Sequence, residues 1–183
     1  MILSIVSLFF DSIECYSQFS GFVSVCQQGE NGPKYGIYDS QCNQVVPCMY
    51  DYVVIEEDTY VTGPFPVQKD GKFGYVAHDG KLVIPCIYEH VGFFHGELAL
   101  VSMEGKFGMI DRSGKLILPC IYDVDEDYFD CCPFSYYYIR DGVAIVQQGD
   151  IFKVVNAQGE VIIPNCLPSE TSWSWILKLE FNF

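Results

Sequence analysis

KFGYVAHDGKLVIPCIYEHV, the stretch from Lys72 to Val91, decides the fold because the chain repeats it almost letter for letter. A second copy, KFGMIDRSGKLILPCIYDV, runs from Lys106 to Val124. An earlier copy, KYGIYDSQCNQVVPCMYDYV, runs from Lys34 to Val53, and a divergent one, IFKVVNAQGEVIIPNC, runs from Ile151 to Cys166. A repeat of this period is typical of solenoids, propellers and other arrays in which each unit packs on the next.

The spacing of the copies indicates the architecture. Prolines separated by 38, 34 and 45 residues close the four copies, and they are Pro47, Pro85, Pro119 and Pro164. Turns such as Asp70-Gly71 and Asp79-Gly80 separate short apolar runs, a pattern that predicts antiparallel hairpins. The sequence therefore predicts an all-β antiparallel repeat array of about four three-stranded units. An open solenoid-like array and a closed propeller-like ring both fit, and the unequal spacings favour the open form.

The predicted array covers residues 20–166, with units at roughly 20–53, 61–91, 98–124 and 143–166. Residues 1–19 are predicted to form an N-terminal cap or strand. Their apolar run, residues 1–10, lacks the basic residue and cleavage site of a secretory signal, although a signal peptide is the alternative. Residues 167–183 are predicted to be a C-terminal capping strand because every second residue from Trp173 to Phe183 is large and apolar. A strand of an outer-membrane barrel is the alternative for this segment.

The third strand of each unit carries the most regular pattern. Leu82 to Ile84 and Leu116 to Leu118 are continuously apolar, which predicts cover on both faces of the strand. The proline that follows cannot donate to a β-ladder, so it is predicted to end the strand or to lie at a bulge or an edge. The tyrosine three residues later is predicted to pack on the neighbouring unit; it is Tyr50, Tyr88 or Tyr122 in the successive copies.

These copies resemble the WG-repeat family, whose unit has a lysine, an aromatic residue (usually tryptophan), a glycine, a Gly-Lys turn and an Ile-Pro-x-x-Tyr-Asp close. The likeness covers residues 22–166. The tryptophan is replaced by Tyr35, Phe73, Phe107 and Phe152. The glycine is retained as Gly36, Gly74 and Gly108, but Lys153 takes its place in the last copy. The resemblance implies an all-β repeat used mainly for interaction, with no catalytic residues to carry over.

Charge limits the classes of partner. The chain has 24 acidic and 10 basic residues, a formal net charge of −14, and its basic residues do not cluster. Binding a phosphate backbone needs a cationic surface, so we expect no nucleic acid partner. An anionic membrane surface would repel the chain, and we expect no membrane insertion. Cationic proteins and peptides remain as candidate partners.

Nine cysteines are present, and three of them occupy the same position directly after the closing proline: Cys48, Cys86 and Cys120. Equivalent positions share one environment, so we expect reduced thiols in the core rather than a disulfide framework. This interpretation favours a reducing, cytoplasmic location.

A zinc site is conceivable near the second copy, where the candidate ligands are His78, Cys86, Glu89, His90 and His95. Cys86, however, has counterparts in other copies that lack matching histidines, so the repeat explains it better. His78 lies in a turn and is predicted to be exposed. No phosphate-binding loop, Cys-x-x-Cys pair or ordered Ser-His-Asp set is present. We therefore predict no metal, no cofactor and no catalytic residues.

The segment between Tyr122 and Gly149 is longer than its counterparts, and insertions in repeats often emerge on the binding face. Its acidic start resembles a calcium loop but lacks the later glycine and glutamate. Acidic groups beside aromatic rings could grip a basic peptide or stack on a sugar. The predicted binding residues are Asp125, Glu126, Asp127, Tyr128, Phe134, Tyr136, Tyr137, Tyr138 and Arg140. An extended hairpin whose aromatic rings lie on the array is the alternative.

These observations predict a non-enzymatic interaction module. It would bind a protein or peptide, including a basic one, through the repeat face and the inserted loop; carbohydrate is a further candidate. The alternative is an enzyme that processes a carbohydrate or small molecule with carboxylates of the inserted loop.

Overall fold

The computed structural model describes residues 13–19, 21–29, 32–55, 64–123, 139–140 and 143–166. These residues contain strands and no helix, so the predicted all-β class is confirmed. It follows that no described helix could cross a membrane. The strands are β1 (Ile13–Phe19), β2 (Phe22–Gly29), β3 (Gly32–Asp39), β4 (Gln44–Tyr50), β5 (Tyr52–Val53), β6 (Phe65–Lys69), β7 (Lys72–Val76), β8 (Leu82–Tyr88), β9 (His90–Val91), β10 (Leu98–Met103), β11 (Lys106–Asp111), β12 (Leu116–Tyr122), β13 (Ile139–Arg140), β14 (Val143–Gln148), β15 (Ile151–Asn156) and β16 (Val161–Cys166).

The chain divides into an N-terminal unit, Met1–Phe93, and a C-terminal unit, Phe94–Phe183. The N-terminal unit contains the sheets β1-β2-β3-β4 and β5-β6-β7-β8, and in the C-terminal unit β10, β11 and β12 pair in order, as do β13 to β16. Every pairing whose register is known is antiparallel. None of these sheets closes into a barrel, which agrees with the open repeat array that the sequence favours.

The prediction of three strands per repeat was incomplete, because the sheet of a repeat has a fourth strand that pairs with the first of the three predicted strands. In the second sheet this strand is β5, whose Tyr52 and Val53 pair with Gln68 and Val67 of β6. Only Asp51 separates it from β4, so one residue carries the chain from one sheet to the next. A strand of two residues is too short to show a period-two pattern, which is why the sequence does not reveal it. Most of the two terminal segments predicted to be caps lies outside the described residues; β1 falls within the first of them.

Two-residue turns join the first two long strands of the repeats, as the sequence predicts. Asp70 and Gly71 have φ of 53° and 75°, and Glu104 and Gly105 have φ of 54° and 69°. Positive φ at both central residues is the requirement of a type I′ hairpin, whose twist matches that of the strands it joins. These turns fix the register of the hairpins.

A glycine and a proline together build a bulge in each regular repeat. Phe73 pairs with Tyr88 and Tyr75 pairs with Ile84, so β8 advances four residues while β7 advances two. A Cβ atom at Gly74 would lie 2.5 Å from the carbonyl oxygen of Ile84. The strand continues beyond Pro85 to Tyr88, so the proline lies in the bulge and does not end the strand.

The last copy shows what happens without that glycine. Lys153 occupies its position, and Val154 pairs with Ile163 while Phe152 pairs with Cys166. Here β16 advances three residues where β8 advances four. In this copy, therefore, a residue with a side chain replaces the glycine of β15, and the bulge on its partner strand β16 has one residue fewer than the bulge on β8.

The core of each unit lies between two sheets. In the N-terminal unit, one buried cluster joins the first sheet to the second: Ile37, Val46, Tyr50, Val53, Phe65, Val67 and Val76. Equivalent positions form a cluster in the C-terminal unit: Leu98, Met109, Leu118, Tyr122, Ala144, Val146 and Val155. Tyr50 and Tyr122 thus pack on the first long strand of the repeat that follows them, as predicted.

Candidate interaction surface

The last strand of a sheet exposes aliphatic side chains, including some that the sequence predicts to be covered. In β8, Ile84 is 1 % exposed, whereas Leu82 and Ile87 are 46 % and 47 % exposed. In β12, Leu116 and Ile121 are 47 % and 46 % exposed. The prediction of cover on both faces, made for the runs Leu82 to Ile84 and Leu116 to Leu118, was wrong at Leu82 and Leu116, which lie on the edge strands of their sheets.

We call these exposed side chains the outer row of their unit. In the N-terminal unit the outer row comprises Met49, Leu82, Val83 and Ile87, and in the C-terminal unit it comprises Leu116, Ile121, Val161 and Ile162. All are aliphatic or methionine, and they recur at the same positions of the repeat. Such side chains offer dispersion and hydrophobic contact but no hydrogen bond, so they suit an apolar protein surface better than a sugar.

The backbone of these edge strands is poorly suited to pairing with another strand. Each of β4, β8, β12 and β16 contains the closing proline, which has no N–H group. The bulge further interrupts the regular spacing of donors and acceptors. Prolines and bulges are devices by which sheet edges avoid aggregation. The side chains of the outer row, rather than the backbone, are therefore the part available for recognition.

A carboxylate at the end of a repeat contacts both its own repeat and the next one. Lys34 Nζ lies 2.5 Å from Asp51 Oδ1, and the Asp70 N–H donates to Asp51 Oδ2 at 2.6 Å. The backbone N–H of Asp51 also donates to the carbonyl of Gln68, at 2.8 Å. The hydrogen bond from Lys34, followed by those from the turn backbone, holds the pKa of Asp51 below its ordinary value.

The C-terminal unit repeats this arrangement at Asp123. Its carboxylate accepts from the Lys106 ammonium and, at 2.8 Å, from the Gly149 N–H in the turn of the next repeat. Its backbone N–H donates to the carbonyl of Gln147 at 2.7 Å. The hydrogen bond from Lys106 is the main cause of the lowered pKa of Asp123. In the second copy, Lys72 and Glu89 form the corresponding ion pair at 3.4 Å.

Five cysteines of the described part of the chain are placed as free thiols: Cys26, Cys42, Cys48, Cys86 and Cys120. The three that follow the closing prolines are half-buried rather than fully buried. Burial raises the pKa of Cys48, Cys86 and Cys120 above the ordinary value. Protonated thiols are poor nucleophiles, so this repeated position offers little reactivity.

His78 does not have the exposed position that the sequence predicts. His78 is half-buried, and its ring centroid lies 4.7 Å from that of Phe65 and 5.5 Å from that of Phe22. Burial lowers the pKa of His95. Within the part of the chain that the structure describes, no three His, Cys, Asp or Glu side chains are grouped to hold a metal ion.

Most of the predicted binding segment lies outside the described residues, namely Asp125, Glu126, Asp127, Tyr128, Phe134, Tyr136, Tyr137 and Tyr138. Arg140 is placed in β13, where its backbone pairs with Val143. Their grouping into a site stays a prediction. The outer row, by contrast, was missed from the sequence, although the closing proline had indicated an edge strand as one of its possibilities.

In a comparison with known protein families, one family model matches the two most regular copies of the repeat. The family model described as WG containing repeat matches residues 73–107 and 107–124. No curated protein and no solved structure matches the chain.

Proposed function

We propose, on the premise that this is a chain of WG-family repeats, that it acts as a non-enzymatic interaction module binding a protein or peptide. The outer rows supply the main contact in this proposal. The edge strands present them as side chains on a rigid sheet, so binding would not require ordering of a loop.

The recurrence of exposed aliphatic residues carries the proposal. Single exposed apolar residues are common on protein surfaces and need no explanation. Here, however, Leu82 and Leu116 are equivalent residues exposed to the same degree, and so are Ile87 and Ile121. The buried contacts of the same strands are supplied by other residues, since Ile84 and Leu118 are 1 % and 2 % exposed. Burying them against a partner would contribute roughly 25 cal/mol per Å² of apolar area.

The inserted segment is the second contact in the proposal, and its support comes from composition alone. Acidic and aromatic residues suit a partner with basic side chains. The residues assigned to it are Asp125, Glu126, Asp127, Tyr128, Phe134, Tyr136, Tyr137, Tyr138 and Arg140. They follow β12, the edge strand that carries Leu116 and Ile121.

Replacing Leu82, Ile87, Leu116 and Ile121 with serine should weaken binding to the partner at least about tenfold, since the apolar area that these side chains would bury against it is lost. The partner would be recovered with the wild-type protein from the native cell, identified by mass spectrometry and then measured with purified proteins. Each side chain is nearly half exposed already, so folding stability should change by about 1 kcal/mol or less per site.

A matched control uses apolar residues that are equally exposed but lie outside the outer rows. Tyr52 and Ile151 are each 46 % exposed, on β5 and β15. Serine at both positions should leave binding unchanged. An equal loss of binding in the control and outer-row variants would refute the assignment of the surface.

The contribution of the inserted segment can be tested separately by charge removal. Replacing Asp125, Glu126 and Asp127 with their amides should weaken binding of a basic partner and reduce its dependence on salt, because exposed charges act through screened electrostatics. Unchanged affinity and salt dependence would exclude the segment. Turnover in a broad hydrolase screen, abolished by the same substitutions, would support the enzyme alternative instead.

A further inference from the structure

We propose that Asp51 and Asp123 are acid-sensitive links that fasten the first hairpin of one repeat to the end of the preceding repeat within each unit. This inference is independent of the proposed binding function. It concerns one contact between successive repeats and the condition under which that contact is lost.

The two carboxylate oxygens of Asp51 serve different repeats. Oδ1 faces Lys34, which begins the copy that Asp51 ends, and Oδ2 accepts from the Asp70 N–H in the turn between β6 and β7. The N–H of Gly71 in the same turn also contributes to holding this carboxylate charged. The Asp51 side chain thus joins β3 of one sheet to the β6–β7 hairpin of the next sheet.

The same link occurs independently in the C-terminal unit. Asp123 accepts from Lys106, the lysine that begins its copy, and from Gly149 in the turn between β14 and β15. In both units the lysine and the acid are separated by 17 residues. The same geometry at two places indicates a property of the repeat rather than an isolated surface ion pair.

Two other acids of the repeat, Asp111 and Asp39, accept hydrogen bonds from the turn in which they lie. Asp111 accepts from the N–H groups of Ser113 and Lys115, at 2.9 Å and 3.0 Å. Asp39 likewise accepts from the N–H groups of Gln41 and Asn43. These residues cap a turn within one repeat and contact no hairpin of the next in the hydrogen bonds described. They are suitable controls, because replacing them should not change the exchange of an amide in the next repeat.

The charged groups around each link decide its response to acid. Lys34 faces Asp51 from β3, and Lys69 and Asp70 lie at the β6–β7 turn, with the Cys86 thiol of β8 within electrostatic range of Asp51. At the other link Lys106 faces Asp123 from β11, and the exposed Asp150 follows Gly149 in the turn. All these side chains are partly exposed, so salt screens the lysine contribution. The hydrogen bonds from the turn are screened less, and protonation weakens them.

The direction of the pH effect follows from the lowered pKa of Asp51 and Asp123, whose ordinary value is 3.8. A group whose pKa is lower in the folded state stabilises the fold above its ordinary pKa. That stabilisation is lost as the pH falls through the lower, folded-state pKa. The links should therefore be intact at neutral pH and released in strong acid.

The experiment uses hydrogen exchange and amide chemical shifts of the full chain, measured by NMR. At neutral pH, Asp51→Asn should speed exchange of the Asp70 amide about tenfold, and Asp123→Asn should do the same for Gly149. Asparagine mimics the protonated acid in shape, so the variants should fold. The control Asp111→Asn should speed exchange of Ser113 and Lys115 but leave Gly149 unchanged.

The wild-type protein supplies a second measurement that needs no variant. On titration from pH 7 towards pH 2, the Asp70 and Gly149 amide resonances should shift with midpoints below 3.8. Midpoints at or above that value would overturn the proposal. So would unchanged exchange of Asp70 and Gly149 in the two link variants, or an Asp111→Asn effect on Gly149 as large as that of Asp123→Asn.

Discussion

Replacing Gly74 with alanine is expected to lower the free energy of unfolding by about 3 kcal/mol or more, because the added methyl group has no space. Its Cβ would lie 2.5 Å from the carbonyl oxygen of Ile84, 2.7 Å from the carbonyl carbon of Pro85 and 2.8 Å from the nitrogen of Cys86. All three atoms belong to the backbone of β8, so no side-chain rotation relieves the contact. Urea denaturation of the full chain, monitored by circular dichroism, measures the effect.

Gly71 provides the matched control for Gly74 in the same hairpin. A Cβ there would meet nothing within 4 Å, but its φ is 75°. Alanine at Gly71 should therefore cost only about 1–2 kcal/mol, the penalty of a left-handed conformation. If Gly74→Ala costs no more than Gly71→Ala, the bulge is not closely packed and the interpretation of this glycine is wrong.

Lys153 shows that the repeat can accommodate a side chain here by changing its partner strand. In the last copy the bulge on β16 has one residue fewer, so the backbone that would collide with a side chain is arranged differently. This difference leads to a specific prediction for the register of the Gly74→Ala variant. If the variant remains folded, its β8 register should move towards that of β16, which cross-strand contacts observed by NMR would reveal.

The repeat made most of the fold predictable from the sequence. Glycine-containing turns indicated the antiparallel hairpins, and the recurring tyrosine indicated the packing on the following repeat that is seen at Tyr50 and Tyr122. These signals are local or periodic, so a single sequence displays them. The short first strands left no such signal, since β5 contains only two residues and depends on its contacts with β6.

The candidate site was harder to predict because the relevant information is the position of a strand in its sheet. The run from Leu82 to Ile84 has the composition of a strand buried on both faces. Exposure of Leu82 follows from the edge position of β8, which depends on which strands pair and in what order. Composition therefore identified the strand correctly and its surroundings incorrectly. The inserted segment, chosen because it departs from the repeat, lies mostly outside the described residues.

Replacing Gly80 with alanine should disrupt a close contact between the two sheets of the N-terminal unit. The added Cβ would lie 2.2 Å from the carbonyl oxygen of Val45 in the preceding repeat, and Gly80 has a φ of 78°. Gly159 is the equivalent residue in the C-terminal unit, where a Cβ would lie 2.5 Å from the carbonyl oxygen of Ile117. Steric and conformational costs add at both positions, so we expect a loss of about 3 kcal/mol or more in each variant.

The first copy contains a natural contrast to these two glycines. Cys42 occupies the equivalent position with a φ of 63°, and its side chain packs against a cluster that includes Val23, Val25 and Tyr38. It therefore carries the conformational cost without the clash against a preceding repeat. Cys42→Gly should change the free energy of unfolding by only about 1 kcal/mol, because relief of the left-handed strain offsets the lost packing. If Gly80→Ala and Gly159→Ala cost no more than Gly71→Ala in the same denaturation experiment, the turn glycine is required for its φ alone. A cost clearly above that control would instead show that the glycine is required because successive repeats meet there.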